Sequence, residues 1–480
     1  MTLEKQRMHP ISILIFFFRV IKESYREIIS FGIASGLGLA KFMSLYWLFL
    51  PLFLFIAYAI AYWARFTFRI SENQLILEKG VFSRNSTHIP KHKIQVIHRN
   101  STLLQQLFGL ESLSIETAGA NENAKLNGIK AELALELQAF LKTNEPIQTK
   151  KTEFVSTIEN TPHQYSYKAS LSDLIFHAVS SRSLGLILAF SIYALELTDD
   201  YFDKETIRAA RNSVAQFIDV YFVLLVGFVF LLLILSVAIV INLIRYYGFT
   251  MSLHSKEIIL NYGFFDKKTT TIPIKKVQSI RIVRNPILAL FKKNRVFVES
   301  SGSLGDTGSG RTMIALLLNL EQAEELVRTF FNVDDLPVLN LRPTKNAWFP
   351  YQMELFIPTF VMISGLVWGF SLHPLWYSIV VFGSFLAFIR FKRAGIGIQS
   401  KIVRVQSQFI NRIQTYIPIS TIQSLAISQA PWQRFSNRAT FELSLKVGSQ
   451  EQPYALSHAN KDILEASIKE LSNLILAKRN

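Results

Sequence analysis

The chain of 480 residues contains no cysteine. That absence excludes disulfide bonds, thiolate metal sites and cysteine nucleophiles, and it removes any need for an oxidising compartment. The 9 histidines form no His-Glu-x-x-His pair, and no Gly-x-Ser-x-Gly turn is present. The glycine-rich stretch 301–311 lacks the Gly-Lys-Ser/Thr ending of a phosphate-binding loop. We therefore expect a protein without enzymatic activity, cofactor or metal ion.

Acidic and basic residues are missing from four long apolar stretches, at 42–62, 220–241, 355–372 and 374–389. Pathways for ions or protons usually leave ionisable side chains inside the membrane. Their absence argues against an ion transporter, although a hydrophobic pore or a lipid-handling groove would escape this criterion. A subunit of a membrane transport, export or lipid-handling system is therefore the alternative function.

Apolar surface is what the chain has in excess, since 50% of its residues are hydrophobic. One soluble core does not need that much. A membrane helix requires about 20 apolar residues. This criterion predicts about six transmembrane helices, at 27–40, 42–63, 183–198, 219–244, 353–371 and 374–389. The first is the shortest because Lys41 limits it, and a re-entrant helix is the alternative there.

One motif occurs three times, at 89–97, 272–280 and 417–425. It consists of Ile-Pro, any three residues, Ile or Val, and then Gln. The first two copies align without a gap from Phe66 to Gly119 and from Phe249 to Gly302. The third is more diverged, because Gln408 replaces a glycine of the other two. Each copy follows apolar stretches, so the chain is predicted to be a triplicated unit of membrane hairpin and soluble module.

Each soluble module is predicted to be α+β. Alternating apolar residues in 66–70 and 75–77 predict strands. Apolar residues spaced by three and four predict closing helices at Ile129–Leu141, Leu318–Phe331 and Ile463–Leu476. That order of elements is typical of a β-barrel or sandwich capped by a C-terminal helix.

These patterns divide the chain into eight parts. They are an N-terminal interfacial segment with the first hairpin (1–65), the first module (66–145), a linker or interfacial segment (146–182), the second hairpin (183–246), the second module (247–335), a linker (336–352), the third hairpin (353–390) and a divergent third module (391–480). Residues 9–26 are either an amphipathic segment in the membrane interface or a short helix packed on the first module.

Three recurring elements carry a resemblance to a known family. They are the turns Gly80-Val81-Phe82 and Gly263-Phe264-Phe265, the Ile-Pro motif, and an apolar turn at 103–110, 286–291 and 431–435. With these elements the chain resembles, over nearly its whole length, the bacterial membrane-flanked pleckstrin-homology (PH) proteins of the YdbT and YdbS type. The resemblance implies a PH-like fold for each module and no activity for any named residue. It also suggests a smaller, single-module relative as a partner.

Basic residues lie on the module side of the predicted spans. Arg65 follows the second span, Arg245 the fourth and Arg390 the sixth, whereas the connection between the third and fourth spans is acidic. Lysine and arginine beside membrane spans stay on the cytoplasmic side. We therefore expect a multi-pass protein of the bacterial cytoplasmic (inner) membrane, with the N-terminus and all three modules in the cytoplasm.

Two sets of residues are candidates for specific roles. The recurring motif residues are expected to serve packing and turn geometry, with the glutamine amides bonding neighbouring backbone; they are Pro90, Gln95, Phe108, Pro273, Gln278, Phe291, Pro418, Gln423 and Phe435. Candidates for contact with anionic lipid or a protein partner are Lys267, Lys268, Lys275, Lys276, Arg281, Arg284, Lys292, Lys293 and Arg295. The alternative is that these basic residues only fix topology and solubility.

The formal net charge of +16 would also suit a nucleic-acid partner, but no aromatic and basic platform or recognition helix is apparent. An anionic leaflet attracts nearby lysine and arginine with about 1 kcal/mol each. The predicted function is therefore a non-enzymatic membrane protein that presents three cytoplasmic PH-like modules as a scaffold. Its expected partners are the bilayer, anionic phospholipid headgroups and other proteins.

Overall fold

The computed structural model describes residues 3–14, 16–17, 46–71, 73–117, 124–142, 165–181, 220–254, 257–301, 310–369, 373–399, 401–448 and 450–479. Its helices are α1 (Tyr46–Arg65), α2 (Leu103–Leu107), α3 (Ala131–Lys142), α4 (Leu171–Val179), α5 (Val220–Tyr246), α6 (Pro286–Leu290), α7 (Leu320–Phe331), α8 (Trp348–Gly369), α9 (Ser378–Arg393), α10 (Pro431–Arg434) and α11 (Lys461–Arg479).

Twenty strands complete the description. They are β1 (Leu3–Arg7), β2 (Thr67–Ser71), β3 (Gln74–Lys79), β4 (Asn85–Pro90), β5 (Ile94–Ser101), β6 (Leu110–Thr117), β7 (Ala124–Lys130), β8 (Tyr165–Lys168), β9 (Thr250–Leu253), β10 (Glu257–Tyr262), β11 (Lys267–Pro273), β12 (Val277–Arg284), β13 (Lys293–Ser300), β14 (Arg311–Asn319), β15 (Gly395–Ile398), β16 (Ile402–Gln408), β17 (Arg412–Pro418), β18 (Ser424–Ser428), β19 (Arg438–Val447) and β20 (Gln450–Asn460).

Three helical stretches among the described residues are long and apolar enough to cross a membrane, namely Phe228–Tyr246, Lys345–Gly369 and Pro374–Arg393. The helix α1 has 20 residues, of which Phe53–Arg65 form a shorter apolar stretch. The prediction of about six transmembrane helices is therefore not supported. The predicted spans at 27–40 and 183–198 lie outside the described residues.

The strands form four sheets, and the modules share two of them. The strand orders are β1-β2-β3-β4, then β7-β6-β5-β11-β10-β9-β8, then β14-β13-β12-β17-β16-β15, and finally β18-β19-β20. Each module thus contributes to two sheets, and the second sheet of one module continues into the first sheet of the next. The two junctions are the antiparallel pairs β5–β11 and β12–β17.

Segments that precede the apolar helices α1, α5 and α8 also join the modules. The strand β1 pairs with β2, β8 pairs with β9, and Leu341 forms an isolated bridge to Ile396. The parts of the chain predicted as an N-terminal segment and as linkers therefore supply backbone pairing to the module that follows them. Sequence patterns gave no sign of this pairing, because these segments are short and mostly polar.

The described part of the N-terminal segment packs on the first module. Met8 and Phe16 are buried in the core of that module. The Ser12 hydroxyl donates a hydrogen bond to the Asn127 carbonyl at 2.7 Å. Two alternatives were predicted for residues 9–26. The described residues up to Phe17 agree with the second, a short helix packed on the first module.

Each module encloses its own hydrophobic core between its two sheets and its closing helix. In the first module Leu75, Ile115 and Leu137 come from the first sheet, the second sheet and α3, and all three are buried. The closing helices predicted from apolar spacing are confirmed as α3, α7 and α11. Burial of such a side chain contributes roughly 1.5–3 kcal/mol, so these cores hold the sandwiches together.

Two glycines make the recurring turn possible. Gly80 and Gly263 have φ angles of +117° and +111°, and a Cβ atom there would lie 1.9 Å and 2.0 Å from the carbonyl oxygens of Ser83 and Asp266. No other residue fits such a position without strain. The identity of these two glycines in the sequence repeat therefore reports a backbone requirement.

Candidate functional site

In each module, one turn between two strands lies beside the C-terminal end of the preceding apolar helix. After α1 the first strand pairs Thr67 with Glu78, and after α5 it pairs Thr250 with Asn261. After α9 the equivalent pair starts at Gly395, opposite Gln406. The turns β3–β4, β10–β11 and β16–β17 follow these partners directly, so they lie beside the helix ends.

Hydrogen bonds fix two of these turns to the helices. The Arg65 guanidinium donates to the Val81 carbonyl at 3.1 Å. The amide of Gly263 donates to the Tyr247 carbonyl at 2.8 Å, and the amide of Phe264 donates to the Ile244 carbonyl at 3.0 Å. The turn is therefore held against the last residues of the apolar helix.

Large apolar side chains project from these turns. Phe82 is 95% exposed, and Phe264, Phe265, Phe409 and Ile410 are exposed as well. Exposed aromatic residues at one recurring place are unusual for a water-soluble surface. They share a position beside the end of an apolar helix.

Short helices bring a second set of apolar side chains to the same end. The helix α2 follows Ser101, which pairs with Lys267 at the β10–β11 turn, and α6 follows Arg284, which pairs with Arg412. The Gln106 amide donates to the Phe265 carbonyl at 2.7 Å. Exposed residues on the three short helices and just after them are Leu103, Leu104, Leu107, Phe108, Ile287, Leu290, Phe291, Trp432 and Phe435.

We call the exposed apolar residues of the turns and short helices the apolar rim. It consists of Phe82, Phe264, Phe265, Phe409, Ile410, Leu103, Leu104, Leu107, Phe108, Ile287, Leu290, Phe291, Trp432 and Phe435. In the sequence these side chains resemble core residues, because apolar character alone does not tell a lipid-facing residue from a buried one. Three of them, Phe108, Phe291 and Phe435, were expected to serve packing. Phe291 contacts Phe176 with 4.7 Å between the ring centroids, and all three side chains remain exposed.

The other motif residues lie at strand ends and bulges. Pro90, Pro273 and Pro418 each end a strand with extended φ and ψ angles and begin a 3₁₀ turn. Gln278 lies at a bulge of β12, where its main-chain carbonyl accepts a hydrogen bond from the Thr421 hydroxyl at 2.9 Å. The main-chain N–H of Gln423 donates to the Ser444 carbonyl, so the expected role of the glutamine side chains stays a prediction. Gln95 lies at the equivalent bulge of β5.

The predicted basic candidates do not form one cluster. Lys267 and Lys268 begin β11 beside the apolar rim, and Lys292 and Lys293 follow α6 at the same end. Lys275 and Lys276 lie beyond the other end of β11. A seven-residue strand separates the two groups by roughly 20 Å.

Three of the predicted arginines bind protein groups. Arg281 forms an ion pair with Glu299 at 2.8 Å, and Arg284 donates to the Asn294 amide oxygen at 2.9 Å. Arg295 donates to the His177 carbonyl at 3.1 Å and to the Ser180 hydroxyl. These contacts hold α4 and the strands of the second module in place.

A cluster of arginines, of which only Arg284 was among the predicted candidates, lies where the second and third modules meet. Arg284 and Arg412 are directly opposite each other on β12 and β17. Burial lowers the pKa of Arg412, and Arg393, Arg284 and Arg404 lower it further. Like charges opposite each other destabilise a sheet. No described carboxylate pairs with Arg284, Arg393 or Arg412; the guanidinium groups of Arg284 and Arg412 donate to the amide oxygens of Asn294 at 2.9 Å and Gln406 at 3.1 Å.

A glutamate of the sequence repeat, Glu299 in the second module, lies at a junction between modules. Glu299 is fully buried, and it binds Arg281 at 2.8 Å and Arg311 at 2.7 Å. It also accepts hydrogen bonds from the hydroxyls of Ser279 and, across the junction, Tyr454. Burial raises the pKa of Glu299, but Arg281 and the hydroxyl groups outweigh that effect and leave it below its usual value.

Known proteins support the repeat and the membrane association. Models of the bacterial PH domain family match residues 27–145, 211–332 and 352–472. The chain is 25% identical over 490 residues to the UPF0699 transmembrane protein YdbT of Bacillus subtilis (strain 168), and the alignment covers 93% of this chain and 94% of that protein. No solved structure matches the chain. Because the three matched segments make up more than half of the sequence, the protein belongs to the bacterial PH domain family, with the domain present three times.

Proposed function

We propose that this membrane-associated protein is a non-enzymatic scaffold of the bacterial cytoplasmic membrane, whose three PH domains lie against the anionic inner leaflet and there bind protein partners. The observation that carries the proposal is the recurrence of exposed apolar side chains beside the end of an apolar helix in every module. In a cytoplasmic domain that did not touch the membrane, these apolar side chains would stay exposed to water.

The energetics of the apolar rim favour contact with lipid. Full burial of a leucine or phenylalanine side chain contributes roughly 1.5–3 kcal/mol. Leu107, Leu290 and Phe435 are 78%, 81% and 93% exposed, so much of that energy is unrealised in water. Helices that lie in a membrane interface insert such residues into the boundary between headgroups and acyl chains.

Charge at the same end favours an anionic leaflet. Lys267, Lys268, Lys292 and Lys293 flank the apolar rim. The arginine cluster adds a site for a phosphate headgroup, since Arg393 ends α9 and Arg412 follows the β16–β17 turn. Guanidinium groups bind phosphate with geometry that a single lysine lacks.

The scaffold role follows from anchoring. Membrane helices hold the three domains at a high effective concentration, so partner contacts that are weak one by one can add. Sheets that continue from one domain into the next fix the spacing of the domains. A rigid array against the membrane would present several partner surfaces in constant register.

Lipid contact can be measured in the full-length protein because the chain has no native cysteine. Single cysteines at Phe82, Leu107 and Leu290 are labelled with an environment-sensitive fluorophore in nanodiscs that contain brominated lipid. We expect strong quenching at all three rim positions. The control is the Lys275→Cys protein, whose label lies roughly 20 Å away along the strand and should stay unquenched. Equal quenching at Lys275 and at the rim, or none at either, would contradict the proposal.

The electrostatic part of the proposal is tested with two matched double variants. Lys267→Gln with Lys268→Gln removes two charges at the rim, and Lys275→Gln with Lys276→Gln removes two at the opposite end. Each rim lysine should contribute about 1 kcal/mol to attraction by phosphatidylglycerol. We expect only the first pair to weaken the dependence of rim quenching on phosphatidylglycerol content. Identical behaviour of both pairs would contradict a specific role for the rim charges.

A further inference from the structure

The array of domains has two open sheet edges that match each other. At the internal junctions a strand of type β5 or β12 pairs with a strand of type β11 or β17. The equivalent of β11 in the first domain is β4, and the equivalent of β12 in the third domain is β18. Among the described strands, β4 pairs with β3 alone and β18 pairs with β19 alone.

The two internal junctions use one register. Ile97 lies opposite Thr271 in the first junction, and the equivalent residues Ile280 and Tyr416 lie opposite each other in the second. Five residue pairs form each junction. A pairing that recurs with different side chains is set by backbone geometry, and the same geometry is available at the open edges.

Burial differs between paired and open edges at equivalent positions. Thr271 and Tyr416 are 2% and 0% exposed, whereas their equivalent His88 on β4 is exposed. Ser279 is fully buried on β12, whereas its equivalent Ser424 on β18 is exposed. At the open edges, the equivalent residues therefore lack the neighbouring strand that covers them at the internal junctions.

The open edges carry little of the usual protection against pairing: β4 has no lysine, arginine or carboxylate, and its one proline, Pro90, lies at its last position. Charged residues, prolines and bulges normally guard a sheet edge. The strand β18 reads Ser-Leu-Ala-Ile-Ser and pairs with β19 without a bulge. By contrast, the outer edge strand β1 has Lys5 and Arg7, and β20 has Pro453.

We propose that β18 of one copy of this protein pairs with β4 of a second copy, in the register of the internal junctions. That register places Leu425 opposite His88 and Ala426 opposite Thr87, with no pair of like charges. Two copies anchored in one membrane present both strands at the same height and in antiparallel directions, because the internal junctions align the helix ends of adjacent domains. The contact joins different surfaces, so it leads to rings or chains of copies. It does not depend on contact between the rim and lipid.

Cysteine cross-linking in membranes tests the contact. One tagged full-length copy carries Ala426→Cys, and a second copy with a different tag carries Thr87→Cys. Opposite residues of an antiparallel pair have Cβ atoms close enough for a disulfide, so oxidation should give roughly tenfold more mixed dimer than a control pair. The control combines Ala426→Cys with Lys5→Cys, on the far edge of the same sheet as β4.

The geometry also predicts which combinations fail. Two copies that both carry Thr87→Cys, or both Ala426→Cys, should not cross-link, because the contact joins unlike strands. Cross-linking of like copies as strong as that of unlike copies would overturn the proposal. So would equal yields from the Thr87 and Lys5 pairs, or a product in which the partner is a different protein. Rim quenching in the same samples reports separately on the lipid contact.

Discussion

The two internal junctions share a backbone register but differ in chemistry. Between the second and third domains, Glu299 is fully buried among two arginines and two hydroxyl groups. Between the first and second, the equivalent Glu116 accepts a hydrogen bond from His98 at 3.1 Å, and His98 in turn contacts Thr270 at 2.9 Å. The same strand pairing therefore tolerates either a glutamate buried between two arginines or a glutamate beside a histidine, and the two junctions should respond differently to perturbation.

The largest difference is expected from removing the carboxylates. Glu299→Gln leaves Arg281 and Arg311 without their counter-ion, and loss of one partner of a buried pair costs roughly 3–5 kcal/mol. Glu116→Gln keeps a hydrogen-bonding group beside His98 and should cost about 1 kcal/mol. Hydrogen exchange of peptides from β12 and β5 in the full-length protein measures both. Equal effects would remove the distinction between the junctions.

A backbone change should disturb the first junction and spare the second. Gly263→Ala forces a Cβ atom to 2.0 Å from the Asp266 carbonyl in the turn beside Phe265, so the free energy of unfolding of this domain should fall by roughly 1–3 kcal/mol. Gly248→Ala is the control, because its φ of +62° is also left-handed but nothing lies within 4 Å. Exchange at β11 should rise more in the first variant, and the reverse order would count against the clash.

Acid should weaken the second junction selectively. The pKa of Glu299 lies below its ordinary value of 4.5 in the folded protein, since Arg281 and the hydroxyls outweigh the effect of burial. A carboxyl group with a lowered folded pKa stabilises the protein above its unfolded pKa and loses that contribution as the pH falls towards the folded value. Exchange at β12 should therefore rise below about pH 4.5. The Glu299→Gln protein should lack this rise, and its persistence there would assign it to another group.

The smallest expected effect has the opposite sign. Arg412→Gln removes the like charge opposite Arg284, which should stabilise the second junction by roughly 0.2–1 kcal/mol in detergent. The first junction has Ser101 opposite Lys267 at this place, so Lys267→Gln should leave stability nearly unchanged. Phosphatidylglycerol should abolish the gain for Arg412→Gln if the cluster binds a headgroup. A loss of stability in detergent would mean that the cluster needs no anion.

How much of the structure could be predicted from the sequence depends on the kind of contact. The apolar stretches, the closing helices α3, α7 and α11, and the turn glycines were predictable, because each follows from local periodicity or from one residue's backbone freedom. The basic residues Lys267 and Lys275 read as one group in the sequence, yet the strand between them places them at opposite ends. The arginine cluster was missed because its members come from an apolar helix and two strands that are distant in sequence.

By itself, the sequence determined that a unit of apolar stretch and strand-rich domain occurs three times. Only the tertiary structure decided that β5 pairs with β11 and β12 with β17, that β1 and β8 join the domains that follow them, and that Phe108 and its equivalents face outward. The physical reason is that strand pairing uses backbone N–H and C=O groups, which every residue except proline carries alike. A pattern of side chains shows which residues avoid water. It does not show which strand or lipid covers them.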